Sequence, residues 1–143
     1  MDTRPIIFSS PMVRALLSNH KTQTRRAIKP ANVGSAMRDG SDSKCCPFKV
    51  GMQLWVKESW HALAAFDASL PREVEVGSPI FYAADGDLPT QAGKSRVALF
   101  VPRWASRLTL QVTAVRAEPL RQITEADAIA EGVLAAEAKQ HGG

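Results

Sequence analysis

The sequence has few cysteines, few histidines and few aromatic residues. Its 143 residues include two cysteines and three histidines, and 6% are aromatic. The cysteines are adjacent, at Cys45 and Cys46, and neighbouring cysteines rarely form a disulfide because the ring is strained. Two thiols and scattered histidines do not complete a four-ligand zinc site. We therefore expect reduced loop thiols, and neither a metal nor any other cofactor.

Long apolar runs are also absent. No stretch reaches the roughly 18–20 apolar residues that a membrane-spanning helix needs. The N-terminal residues MDTRPIIFSSPM include an acid at Asp2 and only a short apolar run, which is unlike a secretory signal. The sequence therefore predicts a cytoplasmic protein without a membrane partner. The length predicts one domain that spans residues 1–143.

Charge is distributed unevenly along the chain. Residues 1–60 carry ten Lys and Arg against four Asp and Glu, whereas residues 61–143 carry eight against ten. The first part therefore has a net charge of +6 and the second a net charge of −2. A basic half is typical of proteins that bind a nucleotide or nucleic acid. An ordinary solvated surface is the alternative.

The local patterns predict a helix, several strands and a second helix. The first helix begins near Ser10, which can cap it, and Asn19 and His20 are plausible terminators. The second helix begins at Thr124 and ends at Gly132, where a left-handed residue is favourable. Strands are predicted between the helices at residues 22–28, 53–60, 79–83, 97–101 and 108–115.

The order of these elements predicts the fold class. Strands dominate, and no regular crossover helices separate them, which argues against a doubly wound sheet. The pattern predicts an α+β chain, namely a small antiparallel β-barrel with flanking helices. Residues 30–50 and 84–96 are rich in turn-forming residues and are predicted to be loops, and residues 134–143 are predicted to be a frayed tail.

The segment His20–Arg26, with the sequence HKTQTRR, is unusual for a strand because it contains no apolar residue. A solvated sheet face explains this pattern, and so does a strand that lines a polar cleft. A lysine and a threonine hydroxyl can act as base and nucleophile when the lysine is partly neutral. In a regular strand Lys21 and Thr24 point to opposite faces. They can meet if Lys21 lies in the turn before the alternation begins.

The chain contains four segments in the following order: FSSPMVRALLSNHKTQTRR, CPFKVGMQLWVKESW, PRWASRLTLQVTAV and ITEADAIAEGV. Together they resemble the ASCH family, in its phage-associated branch. The resemblance covers most of residues 5–133 and implies a PUA-like β-barrel. A small group of bacterial members are amidohydrolases that remove the acyl group from N(4)-acetylcytidine and similar N(4)-acylated cytosines. Their pattern is a Lys-Thr-x-Thr-x-Arg strand and a distant glutamate.

The resemblance implies three catalytic residues in this chain. The strand pattern corresponds to Lys21 through Arg26, and the glutamate falls on Glu131. Thr24 would attack the acyl carbonyl or orient a water. Lys21 would take the proton when neutral or stabilise the oxyanion when charged. Glu131 would shuttle a proton or orient Lys21.

Two carboxylates compete for the third role. Glu131 lies roughly opposite the apolar stripe of its predicted helix, so an exposed, solvated glutamate is the alternative interpretation. Glu58 shares a predicted inward face with Leu54 and Val56. A buried carboxylate there needs a partner, such as Lys21 or Arg26.

Substrate-binding candidates are aromatic or basic. A tryptophan or tyrosine ring can stack on a pyrimidine, although ordinary packing is the alternative for each tryptophan. An arginine can contact a phosphate or an acyl oxygen. The candidates are Arg26, Glu58, Trp60, Tyr82, Arg103 and Trp104.

The sequence therefore leads to two functional expectations. The first is a metal-free amidohydrolase acting on a small modified pyrimidine nucleoside, an N(4)-acylated cytosine nucleoside such as N(4)-acetylcytidine. The second is a PUA-like protein with RNA as its partner, either a non-catalytic binding module or an RNA-processing protein. The 6% aromatic content offers no platform on which several bases could stack.

Overall fold

The computed structural model describes residues 2–26, 48–116 and 124–132. The described chain divides into two compact units. The first unit contains residues 2, 15–26, 48–53, 111–116 and 124–132, and the second contains residues 3–14 and 54–110. Most of the predicted loop at residues 30–50 and all of the predicted tail lie outside the described residues.

The secondary structure is α+β, which confirms the predicted class. The helices among the described residues are α1 (Ser10–Leu17) and α2 (Glu125–Glu131). Short 3-10 helices occur at Ala64–Phe66, Pro71–Glu73, Ala83–Asp85, Ala98–Phe100 and Arg103–Ala105. The strands are β1 (Thr3–Ile7), β2 (Gln53–Lys57), β3 (Trp60–His61), β4 (Phe81–Tyr82) and β5 (Thr109–Gln111).

The strands form two small sheets. One is three-stranded with the order β1-β2-β5, and the other pairs β3 with β4. The β3–β4 pair is antiparallel, with Trp60 opposite Tyr82 and His61 opposite Phe81. Within the part of the chain that the structure describes, the edge strands β1 and β5 of the first sheet are not hydrogen-bonded to each other and the second sheet has two strands, so neither sheet is a closed barrel.

Helix α1 forms where the sequence predicts it. Its first hydrogen bond runs from the Val13 amide to the Ser9 carbonyl, at 3.0 Å. Because the N-cap carbonyl accepts that first bond, Ser9 rather than Ser10 is the N-cap residue. Asn19, one of the predicted terminators, has a φ of 62°. This left-handed conformation, which asparagine tolerates better than most residues, turns the chain after the helix.

Helix α2 has the predicted cap and the predicted stop. The Thr124 hydroxyl accepts a hydrogen bond from the Asp127 amide at 3.1 Å, and the Asp127 carboxylate accepts one from the Thr124 amide at 3.2 Å. Gly132 ends the helix with a φ of 112°. Only glycine adopts this left-handed conformation without a steric penalty from Cβ.

The sequence predicts a strand at residues 22–28, of which the structure describes residues 22–26. The prediction is wrong for these five residues, because they form no strand. The amides of Thr22 and Gln23 both donate to the carbonyl of Ala130 in α2, the latter at 2.9 Å. A carbonyl near the end of a helix therefore satisfies donors that a neighbouring strand would otherwise satisfy.

The other predicted strands are shorter than expected or absent. The prediction at 97–101 is wrong, because a 3-10 turn at Ala98–Phe100 takes its place and the Val101 amide donates to the Ala98 carbonyl. The prediction at 108–115 reduces to β5, and the one at 79–83 to β4. The predicted strand at 53–60 divides into β2 and the start of β3.

The second unit contains an apolar cluster. Its buried members are Trp60, Ala62, Val74, Val101 and Ala105, with Trp104 among the half-buried side chains packed against them. Leu54 and Val56 are buried on one face of β2, as the alternation predicts. Burial of such side chains stabilises the fold by about 1.5–3 kcal/mol each.

Candidate functional site

The polar segment Lys21–Arg26 belongs to the first unit and alternates in exposure. Lys21 is buried, with 5% of its surface exposed, and Gln23 and Arg25 are half-buried. Thr22, Thr24 and Arg26 are exposed. The segment therefore has the two-residue periodicity of an extended chain although it pairs with no strand. Lys21 and Thr24 lie in different environments, one enclosed and one open to solvent.

The Lys21 ammonium lies at the carboxyl end of α2. Its Nζ donates to the carbonyl oxygens of Gln23 and Glu131, both at 2.6 Å. Glu131 is the last residue of α2, and the final carbonyls of a helix lack intrahelical partners and carry partial negative charge. Lys21 therefore caps this helix end.

The pKa of Lys21 lies below its ordinary value. Burial is the largest cause, because it disfavours the charged ammonium. The Glu131 carboxylate raises this pKa and the Arg26 charge lowers it further, and the net direction is downward. Deprotonation of Lys21 to the neutral amine therefore costs less free energy than deprotonation of a lysine in water.

The Glu131 carboxylate faces the same segment. Its Oε1 accepts a hydrogen bond from the Arg25 amide at 3.1 Å, and its Oε2 lies 3.7 Å from the Arg25 Nε. Its side chain is 28% exposed, so the alternative of a fully solvated glutamate does not describe it. Ile129 of the predicted apolar stripe is exposed instead. The polar side of α2 packs inward because Arg25 supplies the opposite charge.

Glu58 lies in the second unit and points inward, as the alternation of β2 predicts. Only 1% of its surface is exposed. Both carboxylate oxygens bind Arg107, with Oε2 3.1 Å from Nε and Oε1 3.0 Å from Nη2. The sequence suggested Lys21 or Arg26 as the partner, and the structure corrects this to Arg107. The two residues are 49 positions apart, which no local pattern could connect.

Arg107 also contacts an exposed acid and an aromatic ring. Its Nη1 lies 2.9 Å from the Asp85 carboxylate, and its guanidinium lies 4.1 Å from the centre of the Tyr82 ring. Burial acts to lower the pKa of Arg107, but the hydrogen bonds that it donates to Glu58 and Asp85 outweigh this effect and raise the pKa. The guanidinium therefore remains charged. It covers one face of Tyr82, whose hydroxyl donates to the Ala105 carbonyl at 2.6 Å.

Of the remaining substrate-binding candidates in the second unit, Trp60 and Trp104 pack against neighbours, and Arg103 is exposed. Trp60 has no exposed surface, and the Arg96 guanidinium lies 5.3 Å from the centre of its ring. A base cannot stack on a ring that is fully enclosed, which removes Trp60 as a stacking candidate. Trp104 is half-buried against the apolar cluster. The guanidinium of Arg103 lies 5.3 Å from the centre of the Trp55 ring.

The predicted site residues therefore fall into two groups, one in each unit. Lys21, Thr24, Arg26 and Glu131 belong to the first unit. The second unit holds Glu58, Trp60, Tyr82, Arg103 and Trp104. Within residues 2–26, 48–116 and 124–132, no three His, Cys, Asp or Glu side chains gather as they do around a metal ion.

No family model, no curated protein and no solved structure matches this chain. Among the described residues, no helix has the length and apolar character needed to cross a membrane.

Proposed function

We propose that this protein is an amidohydrolase that removes the acyl group from N(4)-acylated cytosine nucleosides. The main support is the hydrogen bond between Lys21 and the last residue of α2. Lys21 and Glu131 are 110 positions apart, yet the Lys21 Nζ lies 2.6 Å from the Glu131 carbonyl oxygen. Two of the three residues that the ASCH resemblance implies as catalytic thus lie in one local cluster.

The third residue, Thr24, is adjacent to that cluster in the chain. It precedes Arg25, whose amide binds the Glu131 carboxylate at 3.1 Å. Its side chain is exposed, so a substrate can reach the hydroxyl from solvent. The proposed acyl transfer pairs this exposed hydroxyl, as the nucleophile, with the enclosed Lys21 amine as the base.

The proposed chemistry assigns one proton-transfer role to Lys21. Its neutral form, which burial favours, would accept the proton of the Thr24 hydroxyl or of a water. The two N–H groups of the neutral amine can keep their contacts with the Gln23 and Glu131 carbonyls, and its lone pair accepts the proton. The attacking oxygen then forms a bond with the acyl carbon, and the bond from that carbon to the exocyclic nitrogen breaks. The nitrogen leaves as the amine of the cytosine after taking the proton that Lys21 accepted. When Thr24 attacks, water then hydrolyses the acyl-threonine ester and releases the carboxylic acid; when water attacks, the acid is released directly.

The proposal includes a PUA-like barrel and a cytoplasmic location. The two described sheets, with β2 central in one of them, are compatible with parts of such a barrel. Pyrimidine nucleosides derive from intracellular nucleic acids, which favours the cytoplasm as the place of this activity. A small modified nucleoside is the proposed partner.

A spectrophotometric assay with N(4)-acetylcytidine tests the proposal. The full-length protein should convert it to cytidine, and Lys21→Ala should lose this activity. Lys49→Ala is the matched control, because Lys49 is an exposed lysine of the same unit, and it should retain the activity. The proposed steps use side chains alone, so activity should survive EDTA.

Two results would contradict the proposal. The first is a wild-type rate equal to that of buffer, and the second is normal turnover by Lys21→Ala. Salt-dependent binding of labelled tRNA without any hydrolysis would identify the protein as an RNA-binding module instead.

A further inference from the structure

Two carboxylates of α2 face the polar segment, and one arginine lies between them. Asp127 and Glu131 are four residues apart, so they lie on one face of the helix about one turn apart. The Arg25 Nη2 lies 3.4 Å from an Asp127 oxygen, and its Nε lies 3.7 Å from a Glu131 oxygen. The side chains of Arg25 and Asp127 are each 20% exposed. The guanidinium is thus a bridge between two acids of like charge.

Other groups fix Asp127, at one end of this bridge. Asp127 accepts the Thr124 amide at 3.2 Å as part of the helix cap. The Gln23 side chain also hydrogen bonds Asp127. The position of Asp127 is therefore fixed at the start of α2, and it anchors the Arg25 guanidinium. At the other end, Glu131 accepts a hydrogen bond from the Arg25 amide and forms an ion pair with the guanidinium.

We propose that Arg25 is a positioning residue that holds the Glu131 carboxylate beside Thr24. This inference rests on the proposed amidohydrolase activity. Arg25 approaches Glu131 with two groups, so the carboxylate has little freedom to rotate away. A planar guanidinium can contact two carboxylates at once, which the single ammonium of a lysine does less well. Arg25 itself is not assigned to the reacting atoms.

Steady-state kinetics test this role. Arg25→Gln should lower kcat by roughly 10–100-fold with KM within about threefold, since loss of a positioning contact misplaces a catalytic group. Arg25→Lys should recover part of the loss because it restores the charge. Arg72→Gln should match the wild type, because Arg72 is an exposed arginine of the other unit. A kcat within threefold of wild type for Arg25→Gln, or a loss confined to KM, would overturn the proposal.

An NMR measurement separates this proposal from the proposed function. The amide proton of residue 25 donates to the Glu131 carboxylate, so Glu131→Gln should move its resonance upfield. Arg25→Gln should move it in the same direction, because without the guanidinium the carboxylate is held by the backbone amide alone and that hydrogen bond weakens. This readout needs no turnover, so it decides the positioning role even if the wild type hydrolyses nothing. An amide shift unchanged by Arg25→Gln would overturn the role.

Discussion

The buried pair between Glu58 and Arg107 allows a quantitative prediction of stability. Arg107→Ala leaves the Glu58 carboxylate, which is 1% exposed, without its bidentate partner. Breaking a buried ion pair by removing one member costs about 3–5 kcal/mol. The Arg107 side chain is 24% exposed, so water can enter part of the vacated space. We therefore expect the lower end of this range, about 3 kcal/mol.

Urea unfolding followed by tryptophan fluorescence measures this loss. All three tryptophans, at positions 55, 60 and 104, belong to the second unit with the ion pair. With a urea dependence of about 1.5 kcal/mol/M, a loss of about 3 kcal/mol lowers the midpoint by about 2 M. Asp85→Asn is the matched control, because it removes a contact to the same guanidinium from a side chain that is 49% exposed. Its cost should be about 0–1 kcal/mol.

A second substitution tests the cause of the loss. In the Arg107→Ala background, Glu58→Gln should recover part of the stability, because a neutral amide replaces a buried and unpaired charge. If Arg107→Ala shifts the midpoint no more than Asp85→Asn does, the buried pair does not stabilise the second unit as described.

Three further predictions concern other parts of the chain. Burial lowers the pKa of Lys21 below 10.5, so just below that pH the unfolded state binds more protons at this lysine than the folded state does. Raising the pH should therefore increase the free energy of unfolding of the wild type relative to Lys21→Met. Urea titrations in which the difference between the two proteins does not change with pH would contradict this. Gly93→Ala should lower the free energy of unfolding, measured by fluorescence, by about 1–3 kcal/mol. The reason is that the new Cβ would meet the Asp67 carboxylate and lie 3.0 Å from the Ala64 Cα. An unchanged midpoint would refute the close packing. Thr124→Ala should cost about 1 kcal/mol in unfolding followed by circular dichroism, and no loss would mean that the cap is dispensable.

Features set by near neighbours could be predicted from the sequence. The Thr124 cap needs only the amide of Asp127 three residues later, and Gly132 needs only its own conformational freedom. The inward orientation of Glu58 follows from its register with Leu54 and Val56.

Features set by distant residues could not be predicted. The charge partner of Glu58 comes from 49 positions away, and the helix end capped by Lys21 comes from 110 positions away. Residues 22–26 have the polarity of a solvated strand, but the amides of Thr22 and Gln23 donate to the backbone of α2. Local composition does not contain that information.

The sequence patterns do not predict strand β1, and the reason is different. Its sequence includes Pro5, which argues against a central strand, and Ile6 is its only buried residue. The strand lies at the edge of its sheet, where a missing amide donor is tolerated. An edge strand of this kind has too little alternation for a pattern to reveal it.

The most direct test of the central claim compares two threonines of one segment. Thr24 and Thr22 are both exposed and lie two residues apart, so their substitution by alanine disturbs the fold to a similar extent. With N(4)-acetylcytidine as substrate, the account predicts that Thr22→Ala hydrolyses it at close to the wild-type rate and that Thr24→Ala does not. Equal rates for the two variants would contradict it.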